Sequence, residues 1–200
     1  NQAIWLKKLY YKYNARRLVI DGNGMGIGLM DYMVKKQIDP DTAEEFVDFG
    51  IYNDDEQYYK KYRTNECEQD AIYIIKANAP INTEAHANAQ SQLSSGRVKM
   101  LIDERIAKTK LLGTVKGKAM KPEERAEYLK PFTLTSILKE EMMNLREENE
   151  GVNIILKQAN RGIRKDKFSA FEYGLYYIKQ EEDKKKKKKK FNAADWAFFN

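Results

Sequence analysis

Asp21 is the first residue of this 200-residue chain whose type and setting suggest chemistry. It closes the apolar run Leu18-Val19-Ile20 and precedes a loop carrying Gly22, Gly24, Gly26 and Gly28. A carboxylate at the C-terminal end of a strand, followed by glycines and a helix, stands where open α/β sheets place their ligands. The glycines do not fit a dinucleotide fingerprint, because the fifth residue after Gly22 or Gly24 is Ile27 or Leu29. No Gly-Lys-Ser/Thr occurs, so there is no P-loop. An Asp ahead of the glycines repels a pyrophosphate and attracts a metal. The alternative is that Asp21 caps the next turn and the glycines form a tight bend.

A second group is Arg164-Lys165-Asp166-Lys167-Phe168-Ser169-Ala170. An Asp before a helix is a common cap, and Asp166 sits at the N-cap position of a helix expected over 167–182. The cations Arg164, Lys165 and Lys167 keep it ionised and are of a type that contacts phosphates. Two aspartates at element ends, far apart in sequence, supply the hard oxygen ligands that magnesium takes. Asp103-Glu104 follows an apolar stretch ending at Ile102; its favoured reading is the first turn of a helix, acidic residues matching the dipole there. Asn23 is a candidate for positioning water. Cys67 lies in an acidic loop with no histidine near it in sequence, which argues against a thiolate nucleophile. His86 falls inside a helix and reads as structural or solvent-facing. The tyrosines fit core and rim better than base stacking.

These residues need elements to position them. Periodicity predicts helices over 2–15, 27–36, 82–93 and 135–148, with a short helix over 42–46. Strands are expected at 17–20, 72–76, 98–102 and 152–156, a loop over 50–70 and an exposed excursion over 107–121. On the helix at 135–148, Ile137, Leu138, Glu141, Met142 and Leu145 form a mixed apolar stripe, with Lys139, Glu140, Glu147 and Glu148 in solvent. Helix and strand alternate, which predicts an α/β sheet with helices on its faces.

Composition narrows the class. The chain is 42% hydrophobic, enough for a sizeable core. One cysteine and one histidine exclude an internal disulfide, a Cys-based zinc site and two-histidine motifs. No apolar run has the length of a membrane span. Lys and Arg total 36 against 30 acidic residues, a net charge of +6, but Lys184–Lys190 alone supply seven of the cations. Without that run 29 basic residues face 30 acidic ones, so the body carries −1. The cationic character is therefore confined to one short segment, followed by the aromatic stretch with Phe191, Trp196, Phe198 and Phe199.

Taken in order, four segments resemble the nuclease domain of tailed-phage terminase large subunits. They are Tyr13 to Gly28, Ser95 to Glu104, Leu138 to Leu145 and Lys165 to Ala170, within a match over about 5–183. The resemblance implies a ribonuclease H-like mixed sheet flanked by helices, lacking its first strands. It gives a nuclease domain over 1–183, incomplete at the N-terminus, and a lysine-rich tail over 184–200. The implied activity is a metal-dependent endonuclease that cuts concatemeric double-stranded DNA during genome packaging in the cytoplasm of the infected bacterial host.

Asp21 and Asp166 match two family acids that hold a pair of Mg2+ or Mn2+ ions, one activating water and the other stabilising the leaving oxygen. Arg164, Lys165 and Lys167 are the matching candidates for DNA contact. A further acid lies upstream of Asn1 in the family, so weak magnesium binding and poor cleavage are expected of these 200 residues alone. Implied partners are double-stranded DNA, the portal, the small terminase subunit and an upstream ATPase domain, with no membrane. The alternatives are a DNA-binding or portal-docking module without catalysis, another ribonuclease H-like nuclease such as a junction resolvase, and a nucleotide-binding α/β protein.

Overall fold

The run Leu18-Val19-Ile20-Asp21 is apolar along most of its length and needs backbone partners. In the computed structural model it finds them in a strand far downstream. The described residues are 2–23, 25–55 and 57–190, the side chains of 25–27 and 188–190 excepted. Gly24 and the aromatic segment 191–200 lie outside them. Among these residues seven α-helices combine with a three-stranded sheet and two two-stranded sheets, a mixed α/β architecture. The chain divides into two units, Asn1–Asn78 and Ala79–Asn200.

The first unit runs α1 (Gln2–Lys12), β1 (Leu18–Asp21), α2 (Met25–Met33), β2 (Gln37–Ile38), β3 (Glu45–Phe46), β4 (Phe49–Ile51) and β5 (Glu68–Ile75). Its main sheet has the order β1-β5-β4, all parallel, with Leu18 opposite Ile72 and Asp21 opposite Ile75. The central strand is the most deeply covered: Ala71, Ile72 and Ile75 are buried, as parallel strands require. Met30, Met33, Val34, Phe49, Ile51 and Tyr10 complete the core, each large side chain contributing about 1.5–3 kcal/mol by burial. Gly22 is fixed by packing, since a Cβ there would lie 2.5 Å from Cγ2 of Ile74.

Lys7 is fully buried in this core. Its ammonium donates to the carbonyls of Lys35 at 2.7 Å and Val47 at 2.6 Å, and lies 5.0 Å from the centre of the Phe49 ring. It ties α1 to two otherwise irregular segments. Asp39 does similar work in the turn between β2 and β3: it accepts from Thr42 Oγ1 and the Asp41 amide and pairs with Lys8. That turn replaces the short helix expected over 42–46, because the Asp39 carboxylate binds the turn backbone and Ala43 takes a φ of +57°. The stretch over 50–70 is not only loop: it contains β4, a 3₁₀ turn at Lys60–Tyr62 and the start of β5.

The second unit runs α3 (Ala79–Ser94), α4 (Glu104–Leu112), α5 (Val115–Ala119), α6 (Pro122–Met143), β6 (Leu145–Glu150), β7 (Asn153–Gln158) and α7 (Asp166–Lys190). α3 packs on α7 and β7. The small buried Ala85 and Ala89 lie on α3. Polar contacts join α3 to α7: His86 Nδ1 with Glu172 Oε2 at 2.5 Å, Lys179 with Glu84 at 2.5 Å, Tyr173 OH donating to Asn82 at 3.1 Å and Tyr176 OH donating to Glu84 at 3.4 Å.

Here the structure departs from the periodicity. The segment 98–102 is not a strand; Lys139 of α6 donates to the Leu101 carbonyl at 2.7 Å, and the chain passes into α4. The expected excursion over 107–121 is two helices. α6 starts well before position 135 and runs through Pro131, its first turn held by Glu124 accepting the Lys121 amide at 3.1 Å. It stops at Met143, not Glu148, and the next residues form an antiparallel hairpin whose turn uses Gly151 at φ +61°. α7 extends through Lys190, so Lys184–Lys190 continue a helix.

Burial pushes the Lys7 ammonium down to about 8, against the opposing field of Asp48. In the unfolded chain it titrates near 10.5. Between these values the unfolded state holds a proton that the folded state has lost, so stability rises with pH over that window. Above pH 10 the tyrosines oppose this, since burial raises Tyr11 to about 12. We predict that Lys7→Met is destabilised by about 1–3 kcal/mol at pH 7, through two carbonyls left without donors. The deficit should widen between pH 8 and 10 in urea titrations. Wild-type and variant stabilities that stay parallel over that range would remove Lys7 as the source.

Candidate functional site

Each candidate acid is placed within its own unit, Asp21 in the first and Asp166 in the second. Asp21 ends β1 and is exposed. Its Oδ1 accepts the Asn23 amide at 3.0 Å, the turn-capping bond anticipated as the alternative to a ligand role. The Asn23 side chain donates to the Ala77 carbonyl at 3.0 Å, so its amide holds the loop against the end of β5. Gly22 donates its N–H to the Ile75 carbonyl at 2.8 Å. The loop is thus tied down on both sides, with the Asp21 carboxylate at its outer surface and one oxygen committed.

The environment of Asp166 is built by α6 and the hairpin. Asn144, just past α6, donates its side-chain amide to the Asn160 carbonyl at 2.9 Å and accepts the Asn160 amide at 2.8 Å. The Gln158 amide donates to the Ile163 carbonyl at 2.6 Å. These bonds fix the loop that delivers Arg164, Lys165 and Asp166. Ser169 donates its amide to the Lys165 carbonyl, so α7 begins one residue earlier than expected and Asp166 is its first residue, not its cap.

The start of α7 is satisfied instead by a residue on another helix. Glu141 of α6, only 2% exposed, accepts the Phe168 amide at 2.9 Å through Oε2 and pairs with Lys167 at 3.4 Å through Oε1. The Asp166 side chain is 77% exposed, with Arg164 3.9 Å away as a loose ion partner. A negative charge is favoured there by the helix dipole whether or not it caps.

The three candidate DNA contacts differ in availability. Arg164 is 85% exposed. Lys165 is exposed but donates to the Leu156 carbonyl at 3.3 Å. Lys167 is shared with Glu141. Asp103 caps α4, its Oδ1 accepting the Arg105 amide at 2.9 Å, and that bond lowers its pKa. This agrees with the helix-start reading. Cys67 is pushed up to about 11 by burial and a hydrogen bond with Asp48, which keeps it a thiol. His86 is structural, held by the buried Glu172.

The donor chemistry of Asp21 and Asp166 suits a hard divalent cation: exposed carboxylate oxygens with no sulfur or imidazole. The donor number does not. Among the described residues no group of three or more His, Cys, Asp or Glu side chains is arranged to hold a metal ion. Sequence reasoning missed the role of Glu141, although one signal was present: a glutamate among the apolar positions Ile137, Leu138, Met142 and Leu145. No family model, curated protein or solved structure matches the chain. Among the described residues no helix is long and apolar enough to cross a membrane.

The capping assignment makes a stability prediction. Glu141→Ala leaves the Phe168 amide unsatisfied and Lys167 unpaired, and should cost roughly 2 kcal/mol. Asp166→Asn should stay within about 0.5 kcal/mol of wild type, as exposed substitutions do. Chemical denaturation of both variants checks this; an Asp166→Asn loss as large as that of Glu141→Ala would return the capping role to Asp166.

Proposed function

We propose that this chain is the nuclease segment of a terminase-type DNA-packaging protein, hydrolysing phosphodiester bonds of double-stranded DNA. The reading rests on the four-segment resemblance, and the observation that carries it is the setting of Asp166. It is an exposed carboxylate in the first turn of a long helix, where Glu141 takes the Phe168 amide and Asp166 keeps only the dipole and a loose ion pair. It stands beside Arg164, an exposed cation of the kind that grips phosphate. Asp21, exposed at the end of a parallel strand, has the position expected of its partner acid. On this reading the β1-β5-β4 sheet belongs to a ribonuclease H-like fold. The packaging partners are the portal, the small terminase subunit and an ATPase domain, in the host cytoplasm.

A divalent magnesium or manganese ion, when bound, supplies water activation and charge neutralisation at phosphate. The chain's own groups do the remainder. Asp21 and Asp166 present ligand oxygens, Arg164 holds the DNA backbone, and Lys165 and Lys167 add positive potential. Asn144 and Gln158 keep the Asp166 loop in place. A second reading is a DNA-binding packaging module that does not cut; it fits the finding that among the described residues no group of three or more His, Cys, Asp or Glu could hold a metal ion.

Manganese separates these readings. Paramagnetic Mn2+ should broaden backbone amide signals around Asp21 and around Asp166, and each Asp→Asn substitution should relieve the broadening at its own position. The weak cleavage of linear duplex DNA expected with Mn2+ should be lost in either Asp→Asn variant. Broadening at neither acid, with cleavage unaffected by both substitutions, would sink the nuclease reading. DNA binding without cleavage under Mg2+ or Mn2+ would establish the non-cutting module.

Lys184–Lys190 make a further prediction. Removing them changes the net charge from +6 to −1. Lys184 and Lys186 already pair with Glu181 and Asp183, at 3.2 and 3.6 Å. Deletion should therefore flatten the slope of log K against log salt for duplex DNA by about 3–5 units, at about 0.9 per phosphate contact. An unchanged slope would take the lysine helix out of DNA binding.

A further inference from the structure

The β6–β7 hairpin carries a charge where its pattern calls for an apolar residue. Glu147 lies directly opposite Leu156 in the ladder, on the face it shares with Leu145 and Ile154. That face covers a cavity of about 220 Å³ in the second unit, whose apolar floor includes Leu93 of α3, Met142 of α6 and Phe168 of α7. The neighbouring Glu148 stands on the opposite face and pairs with Lys157 at 2.5 Å. Glu147 has no such partner.

Three polar groups meet at this cavity: the His86 imidazole, the Gln90 amide and the Glu147 carboxylate. Nδ1 of His86 is held by Glu172, which is 3% exposed, so the ring is fixed and Nε2 is the nitrogen left for a ligand. Among the described residues neither Nε2, nor the Gln90 amide, nor the Glu147 carboxylate has a hydrogen-bond partner. Among the described residues Glu147 has no ion partner, so the cavity carries an unpaired carboxylate. An apolar floor with a few convergent polar groups is the make-up of a small-molecule site. A bare metal ion does not fit it, since no trio of ligating side chains is present among the described residues.

We infer that this cavity binds a small organic cation, an ammonium or guanidinium group on an aromatic or branched apolar frame. The frame lies on Leu93, Leu156 and Phe168, the cation meets Glu147, and His86 Nε2 and Gln90 orient any hydrogen-bonding group the frame carries. The site uses none of the groups assigned to DNA cleavage, so its test is independent of the nuclease reading.

The probes are three molecules of one shape and different charge: phenethylamine, 2-phenylethanol and 3-phenylpropionate, titrated into the full 15N-labelled chain. Phenethylamine should give saturable shifts at the Gln90 side-chain amide and at the backbone amides of Leu93 and Leu156, binding tighter than the alcohol and the alcohol tighter than the acid. Glu147→Gln, an exposed and structurally mild change, should weaken phenethylamine two- to fivefold and leave the alcohol unchanged. Leu93→Trp, which fills the floor, should abolish binding of all three while hairpin and α3 signals stay dispersed. The inference is overturned if phenethylamine gives no saturable shifts at these residues, if the acid binds as well as the amine, or if Glu147→Gln leaves the affinity for phenethylamine unchanged.

Discussion

The second unit depends on a carboxylate buried at the start of a helix. Taking Glu141 out of water costs several kcal/mol unless its oxygens are matched. They are matched by the Phe168 amide on one side and the Lys167 ammonium on the other, with the dipole of a 25-residue helix behind them. This contact fixes where α7 begins and how it meets α6. With the Phe168 amide met from outside, the first-turn Asp166 keeps a loose ion pair with Arg164.

Interior charge is handled in the same manner elsewhere. Lys7 in the first unit spends its ammonium on two backbone carbonyls, and Glu172 spends its carboxylate on His86. In each case the buried ion is bound across elements distant in sequence, so it acts as a tether as well as a cost. Such groups tolerate little change, because removing one partner leaves the other buried and unmet.

The pattern of what could be read from sequence follows from this. The helix at the N-terminus, the strand before Asp21 and the start of α7 were legible to within a few residues, since their signals are local: apolar spacing, a closing acid, a charged entry. The outcome at 42–46 was not, because the turn is organised by Asp39 and its pairing with Lys8, a contact between segments. The apolar run at 98–102 has strand composition but no strand beside it; a lysine from α6 takes up the Leu101 carbonyl instead. The end of α6 was misplaced because Leu145 extends the helical stripe of Ile137, Leu138, Glu141 and Met142, and Arg146 to Glu148 carry no stop signal. Only the pairing with β7 decides between helix and strand. Asp21 and Asp166 both stand at element ends, where local signals placed them. The capping bond expected of Asp166 was wrong, since its function had passed to a residue on another helix.

α7 sets a length as well as a position. It begins at Asp166 and continues unbroken into the lysines. At about 1.5 Å per residue, Lys187 lies roughly 32 Å along the axis from the acid. One turn of B-form duplex is about 34 Å. For a nuclease bound through both ends of this helix, the cations would grip the backbone close to one helical repeat from the acid, on the same side of the duplex. The helix would then serve as a ruler, and inserting two residues near Tyr177 would rotate the lysines by more than half a turn about its axis.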